Sequence, residues 1–256
     1  KDNGLTRVSS LWGSDYVAPK PDYSRHLFCR PRLFEPRGEC PDDLWEAIWS
    51  WVPAACRIFD PKLIYVPSMH GTSLRTCLEV CKKHQGSPMI FFVYSKWGDV
   101  IGGFSPTVWV RTSGYVQPQT LGRWVEEAFV FRRLARSKSA EASPVSVSSD
   151  ASGRAPPPGP GALIETFVWT SRNELLLKAN ETSGLVFGGD GAAIYINKDL
   201  NRAETAASES FCSPCLLPAV DHDLGELSPS AGGDAPPSPP KSVDFEIMRF
   251  EVFALE

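Results

Sequence analysis

The stretch GLVFGGDGAAIYINKDL, residues 184–200, sets a run of glycines and one acid between two apolar segments. If those glycines cradle a phosphate, the chain binds nucleotides. If they only reverse the chain, it is built from strands. A phosphate loop hands its glycines to a helix, whose N-terminus supplies aligned amide donors. It also closes on a Lys followed by Ser or Thr. Here Gly188, Gly189, Asp190 and Gly191 run straight into Ala-Ala-Ile-Tyr-Ile, a β-type segment, and no Lys stands at the required distance. The stretch therefore reads as a tight turn between strands, where glycine adopts positive φ without a steric penalty.

Outward from this turn the pattern stays that of short strands. They are expected at 62–66, 89–94, 100–104, 128–131, 165–170, 175–179, 185–187 and 192–197. Lys96-Trp-Gly-Asp99 makes a good hairpin turn between the second and third. The last strand, 243–255, alternates apolar and polar residues, but its phase slips near Met248, which predicts a bulge. Two helices stand among the strands. Residues 41–51 carry acids in the first turn and a stripe of Leu44, Trp45, Ile48 and Trp49, with Pro53 as the stop. The second is capped by Thr72 or Ser73, and Leu74, Cys77, Leu78 and Cys81 follow at helical spacing until Gly86 ends it. Many strands with few helices imply an α+β domain, a mostly antiparallel core with helices packed outside.

The 256 residues suffice for one large domain or two small ones, and a hydrophobic content of 42% can fill a core. With a formal charge of −4 and mixed signs, no basic tract points to nucleic acid. The longest apolar run, 88–94, is of strand length and too short to span a bilayer. The chain opens on Lys1 with no signal-peptide pattern and reads as part of a longer protein. Residues 135–162 and 218–242 are dominated by Ser, Ala, Pro and Gly, and offer too little apolar area to offset the entropy of ordering them. They are expected to be disordered inserts in a domain spanning 33–256, behind a partly ordered extension, 1–32. Ser143, Ser228 and Ser238 each precede Pro in those inserts and are candidate phosphorylation sites.

The cysteine count is odd, at seven, which fits scattered thiols in a reducing cytosol better than a disulfide framework. The sequon at Asn180-Glu-Thr182 is therefore read as chance. Cys212-Ser-Pro-Cys215 could be a redox pair with a lowered thiol pKa, though Pro214 and Pro218 leave no clear helix behind it. Joined to Cys77 and Cys81, it could hold zinc; the plainer reading of Cys77 and Cys81 is a buried helical stripe. His26, His70, His84 and His222 form no recognisable triad pattern. Glu127 is an acid in a β run, read as a buried group satisfied by backbone amides rather than as a general base. An exposed member of the Trp45, Trp49, Trp51 cluster could anchor a partner. No catalytic, cofactor-binding or metal-binding residue is assigned.

The order of these segments resembles the TLDc family, the domain of the oxidation-resistance proteins. The likeness runs from about Asp42 to Glu256. It begins with the Trp-rich helix, Pro61-Lys-Leu-Ile-Tyr65 and His70-Gly-Thr-Ser-Leu-Arg-Thr76. Val100-Ile-Gly-Gly-Phe104 with Trp109, Glu127-Ala-Phe-Val-Phe131, the opening glycine turn with Ile194 to Leu200, and Phe245 through Phe253 continue it. The motif positions Gly71, Ser73, Leu74, Gly103, Trp109, Glu127, Gly188, Gly189, Gly191 and Asp199 are read as structural. Where the family usually has Cys and Asn, this chain has Ser208 and Ser213. The resemblance implies a two-layer antiparallel β-sandwich flanked by helices, without catalysis and without a cofactor. It implies binding to soluble subunits of the vacuolar proton-pumping ATPase, a role in oxidative-stress resistance, and Rab-dependent vesicle traffic through an upstream domain. The expected location is cytoplasmic, peripheral on acidic organelles. Thiol chemistry at Cys212 and Cys215, or a purely structural role in a large assembly, are the alternatives.

Overall fold

The computed structural model describes residues 31, 33, 35–107, 109–116, 127–135, 163–189, 191–218 and 242–256. The long strand β10 (Ser242–Leu255) organises them. Its first half, Ser242 to Glu246, pairs with β9 (Arg202–Ala206), and its second half pairs with β2 (Met89–Ser95) and β1 (Pro61–Tyr65). The register shifts between Ile247 and Arg249, at the expected bulge. On one side of that shift the path continues from β2 through β3 (Val100–Ser105) and β4 (Phe129–Leu134) to β5 (Leu163–Val168). On the other it runs from β9 through β8 (Ile194–Ile196) and β7 (Gly184–Phe187) to β6 (Leu177–Asn180). Every pairing among the described strands is antiparallel.

The two halves bury one core between them. Phe91, Val93, Ile101, Val130, Phe250 and Val252 from the first half share it with Leu177, Leu185, Phe187, Ile194 and Ile196 from the second. Side chains alternate along a strand, so Ile90, Phe92, Phe104, Phe129, Phe131 and Phe253 face the other way. Helix α1 (Asp42–Trp49) covers them with Leu44, Trp45, Ile48 and Trp49. Trp45 meets both Phe92 and Phe253 edge-on, with ring centroids 5.0 Å apart in each case. The molecule is a helix on a β-sandwich, as the sequence leads one to expect, and burying each large side chain adds ~1.5–3 kcal/mol.

Helix α3 (Leu74–Lys82) buries Leu74, Cys77, Leu78 and Cys81 in the inter-layer core. Its cap differs from expectation. Neither Thr72 nor Ser73 caps it through a side chain; Ser73 holds the N-cap position, and the Leu74 N–H donates instead to the Lys198 carbonyl at 2.8 Å. A distant turn thus satisfies an amide that the helix start leaves open.

Two elements escape the hydrophobic pattern. Helix α2 (Pro67–His70) is a single turn with no buried residue. β9 turns inward only the small Ala203 and Thr205, whose hydroxyl donates to the Ala193 carbonyl at 2.7 Å and accepts the Leu216 N–H at 3.0 Å. Neither residue is large or apolar enough to mark a strand in the hydrophobic pattern. The free edge of β6 is met by an irregular segment, where the N–H groups of Thr112 and Val116 donate to Ala179 and Leu177 carbonyls at 2.8 and 2.7 Å. The inserts, apart from their outermost residues, and nearly all of the 1–32 extension lie outside the described residues, as do Cys29, His26, His222, Asp190 and the three Ser-Pro sites.

Candidate functional site

At the opening stretch, β7 and β8 pair directly, Phe187 opposite Ile194 and Leu185 opposite Ile196. The glycines are a turn. Gly188 and Gly191 sit at φ +81° and +93°, where a side chain is strained. The Gly189 N–H donates to Ser210 Oγ at 2.9 Å, and that buried hydroxyl lies 3.0 Å from Asn173 Oδ1. Ser208 and Ser213 bond to each other through their backbones at 3.0 and 3.1 Å. The chain thus engages this turn amide itself.

The other family-motif positions also meet their own chain. The Gly71 carbonyl accepts the Tyr65 hydroxyl. Gly103 lies beneath Phe91 and Phe187. Trp109, fully buried, packs edge-on to Phe91 at 5.0 Å. Glu127 stands half-buried just ahead of β4. Burial chiefly, with that carboxylate adding, pushes the Cys56 thiol up to about 11. Asp199 is exposed in the β8–β9 turn, whose Asn197 Oδ1 accepts the Asn201 and Arg202 N–H groups at 3.1 and 3.2 Å.

The six described cysteines are free thiols. Cys212 is exposed at φ +47°. Cys215 is half-buried, bonds the Thr205 carbonyl at 3.1 Å, and has its pKa raised by burial, the opposite of an activated thiolate. Cys77 and Cys81 are fully buried on α3, where burial and the neighbouring Cys81 raise the Cys77 thiol. Among the described residues no three His, Cys, Asp or Glu side chains are grouped to hold a metal ion. His70 ends α2 and stacks on Tyr65 at 5.3 Å; His84 pairs with Glu256.

Two surface features remain. Of the clustered tryptophans, Trp45 and Trp49 are buried and Trp51 is 51% exposed. Ile58, 74% exposed, and Phe59, 42% exposed, stand in the same loop after α1. The second feature is a groove of about 380 Å³ where β10 changes layers, walled by Val66, Pro67, Leu200, Ile247, Met248 and Phe250. Arg249 closes its polar end, donating from Nη1 to Glu39 at 2.5 Å and from Nε to Glu251 at 2.6 Å. Glu251 is fully buried and also accepts the Tyr94 hydroxyl and the Glu39 N–H, each at 2.8 Å. Burial first, then the nearby Cys40 and Glu251, drives the Tyr94 pKa well above its ordinary value. Sequence reading passed over this network because Glu39 and Arg249 are far apart in the chain. Its one legible signal is an acid, Glu251, on the same strand phase as Phe253 and Leu255.

Comparison with known proteins places this architecture. The family model described as the TLDc domain matches residues 40–131. The chain is 29% identical over 187 residues to TBC1 domain family member 24 of Xenopus tropicalis, covering 64% of this chain and 32% of that protein. To the GTPase-activating protein skywalker of Drosophila melanogaster it is 23% identical over 184 residues, covering 70% and 28%. It therefore spans about a third of the length of the curated relatives it matches.

Proposed function

Because the chain belongs to the TLDc family, we propose that it is a non-catalytic interaction module that docks on soluble subunits of the vacuolar proton-pumping ATPase. In this reading it tunes assembly or activity of the pump, works in oxidative-stress resistance and vesicle traffic, and sits peripherally on acidic organelles from the cytoplasmic side. Rab-pathway proteins would be reached through a neighbouring domain of the whole protein. The observation that carries the reading is the match over residues 40–131, within an ordered motif series that extends to β10. Among the described residues no helix is long and apolar enough to cross a membrane.

The exposed Trp51, Ile58 and Phe59 lie inside the matched region and supply a docking face. Large aromatic side chains left in water are the residue class that dominates binding hot spots. The test is a pull-down from native lysate with the chain as bait, with and without ATP, read by mass spectrometry. Recovery of pump subunits that depends on nucleotide supports regulation, and recovery under both conditions supports a structural role. The variant Trp51→Ala/Ile58→Ala/Phe59→Ala is expected to lose at least about tenfold in recovery, since one such anchor is worth ~2 kcal/mol or more. Absence of the pump under every nucleotide condition would overturn the docking reading.

A further inference from the structure

The groove at the β10 bulge has a composition that the docking reading leaves unused, and it stands independently of that reading. Its floor is apolar: Val66, Leu200 and Phe250 are buried beneath it. Its rim carries a flexible thioether, Met248, 63% exposed, and the adjoining helix α2 carries Met69, 66% exposed. Methionines in such positions adapt to varied ligand shapes. The polar end is unbalanced in charge. Two carboxylates, Glu39 and Glu251, face one guanidinium, that of Arg249, and leave one negative charge. Glu251 is fully buried and its hydrogen bonds are filled, so the excess is presented at Glu39, whose side chain is 68% exposed.

We propose that this groove binds a short extended peptide segment of a partner protein, with a lysine or arginine directed at Glu39 and apolar neighbours lying on the floor of Val66, Leu200 and Phe250, against Met248 at the rim. A long basic side chain suits both halves of the site, because its methylene stem covers apolar surface while its charged head stays at the wet rim. An acidic ligand would meet the excess carboxylate and is disfavoured. A volume of about 380 Å³ is at the small end for a ligand site and fits one or two side chains rather than a folded domain.

The chain holds three methionines, so a ¹³C-methyl-methionine label reports the groove directly. Met248 and Met69 lie at or beside the groove, and Met89, fully buried, is the internal control. The probe is acetyl-Leu-Lys-Leu-amide, with acetyl-Leu-Glu-Leu-amide as its charge-reversed counterpart. The expected result is a saturable shift of Met248 with the basic peptide, no shift of Met89, and binding of the acidic peptide weaker by about fivefold or more. Glu39→Gln, whose amide oxygen can still accept from Arg249, should weaken the basic peptide by a similar factor while the Met89 signal stays unchanged. Glu39→Lys should invert the preference. Equal response to both peptides, or no saturable shift with either, overturns the proposal. So does a Met248 signal that moves on simple dilution, which assigns the groove to a second copy. A Met248 signal that moves when residues 1–30 are removed assigns it to the chain's own N-terminal segment, and overturns the proposal as well.

Discussion

Glu251 shows how a single residue can be governed by its surroundings more than by its type. A carboxylate with no exposed surface is costly unless it is paired and hydrogen-bonded. Here Arg249, Tyr94 and the Glu39 amide all donate to it. Glu251→Ala leaves a guanidinium that is only a quarter exposed without one of its two partners. The expected loss in urea unfolding is roughly 2–3 kcal/mol, below the ~3–5 kcal/mol of a fully buried pair, and Glu251→Gln should fall between variant and parent. Tyr94 gives a pH test. Its folded-state pKa is raised chiefly by burial, so the folded chain keeps a proton that the unfolded chain releases near 10. That contribution is intact below about pH 10 and is lost as pH rises above it. Tyr94→Phe should cost about 1 kcal/mol at pH 7 from the lost hydrogen bond. In paired denaturant melts, its gap to the parent chain should narrow steadily above pH 10. A gap that is constant with pH would show that Tyr94 ionises alike in both states.

At the scale of elements, α1 and the loop behind it set a buried tryptophan and an exposed one within one short stretch. Trp45 is 2% exposed and Trp51 is 51% exposed. Trp45→Ala is expected to cost about 3–5 kcal/mol by opening a cavity against Phe92 and Phe253. Trp51→Ala should change stability by no more than about 0.5 kcal/mol. Thermal melts of the two single variants check both numbers, and a large loss from Trp51→Ala would mean that its ring is structural. β10 was readable in advance down to its bulge, because strand alternation has a period of two and a slip of one residue moves every side chain to the opposite face. The phase change at Met248 therefore marked the point where the strand passes from one layer to the other. β9 was not readable, because its inward residues are Ala and Thr, and its place depends on hydrogen bonds to Ala193 and Leu216.

At the scale of the molecule, the insert after β4 is topologically simple. Leu134 and Leu163, which flank residues 135–162, are directly opposed in the β4–β5 pair. The two ends of the insert therefore meet, and the entropy of closing a loop between fixed ends grows only slowly with its length. Replacing 135–162 with a four-residue turn is expected to leave the fold intact and raise stability by roughly 1–2 kcal/mol. The midpoint of urea unfolding measures this. A destabilised or aggregating variant would mean that the insert itself contributes contacts to the domain.

The sequence by itself determined the class of the chain and most of its elements. Hydrophobic period and turn residues are local properties, and they specified a turn at Gly188–Gly191, a Trp-striped helix and a bulged last strand. The order of motifs was enough to point to the family. Tertiary structure alone decided which tryptophan faces water, that α3 is capped by a backbone carbonyl from a turn far along the chain, and that Glu39, Tyr94, Arg249 and Glu251 converge on one groove. Those results depend on contacts between residues distant in sequence. A pattern read along the chain carries no distance information, whereas closure of the β-sandwich brings such residues together.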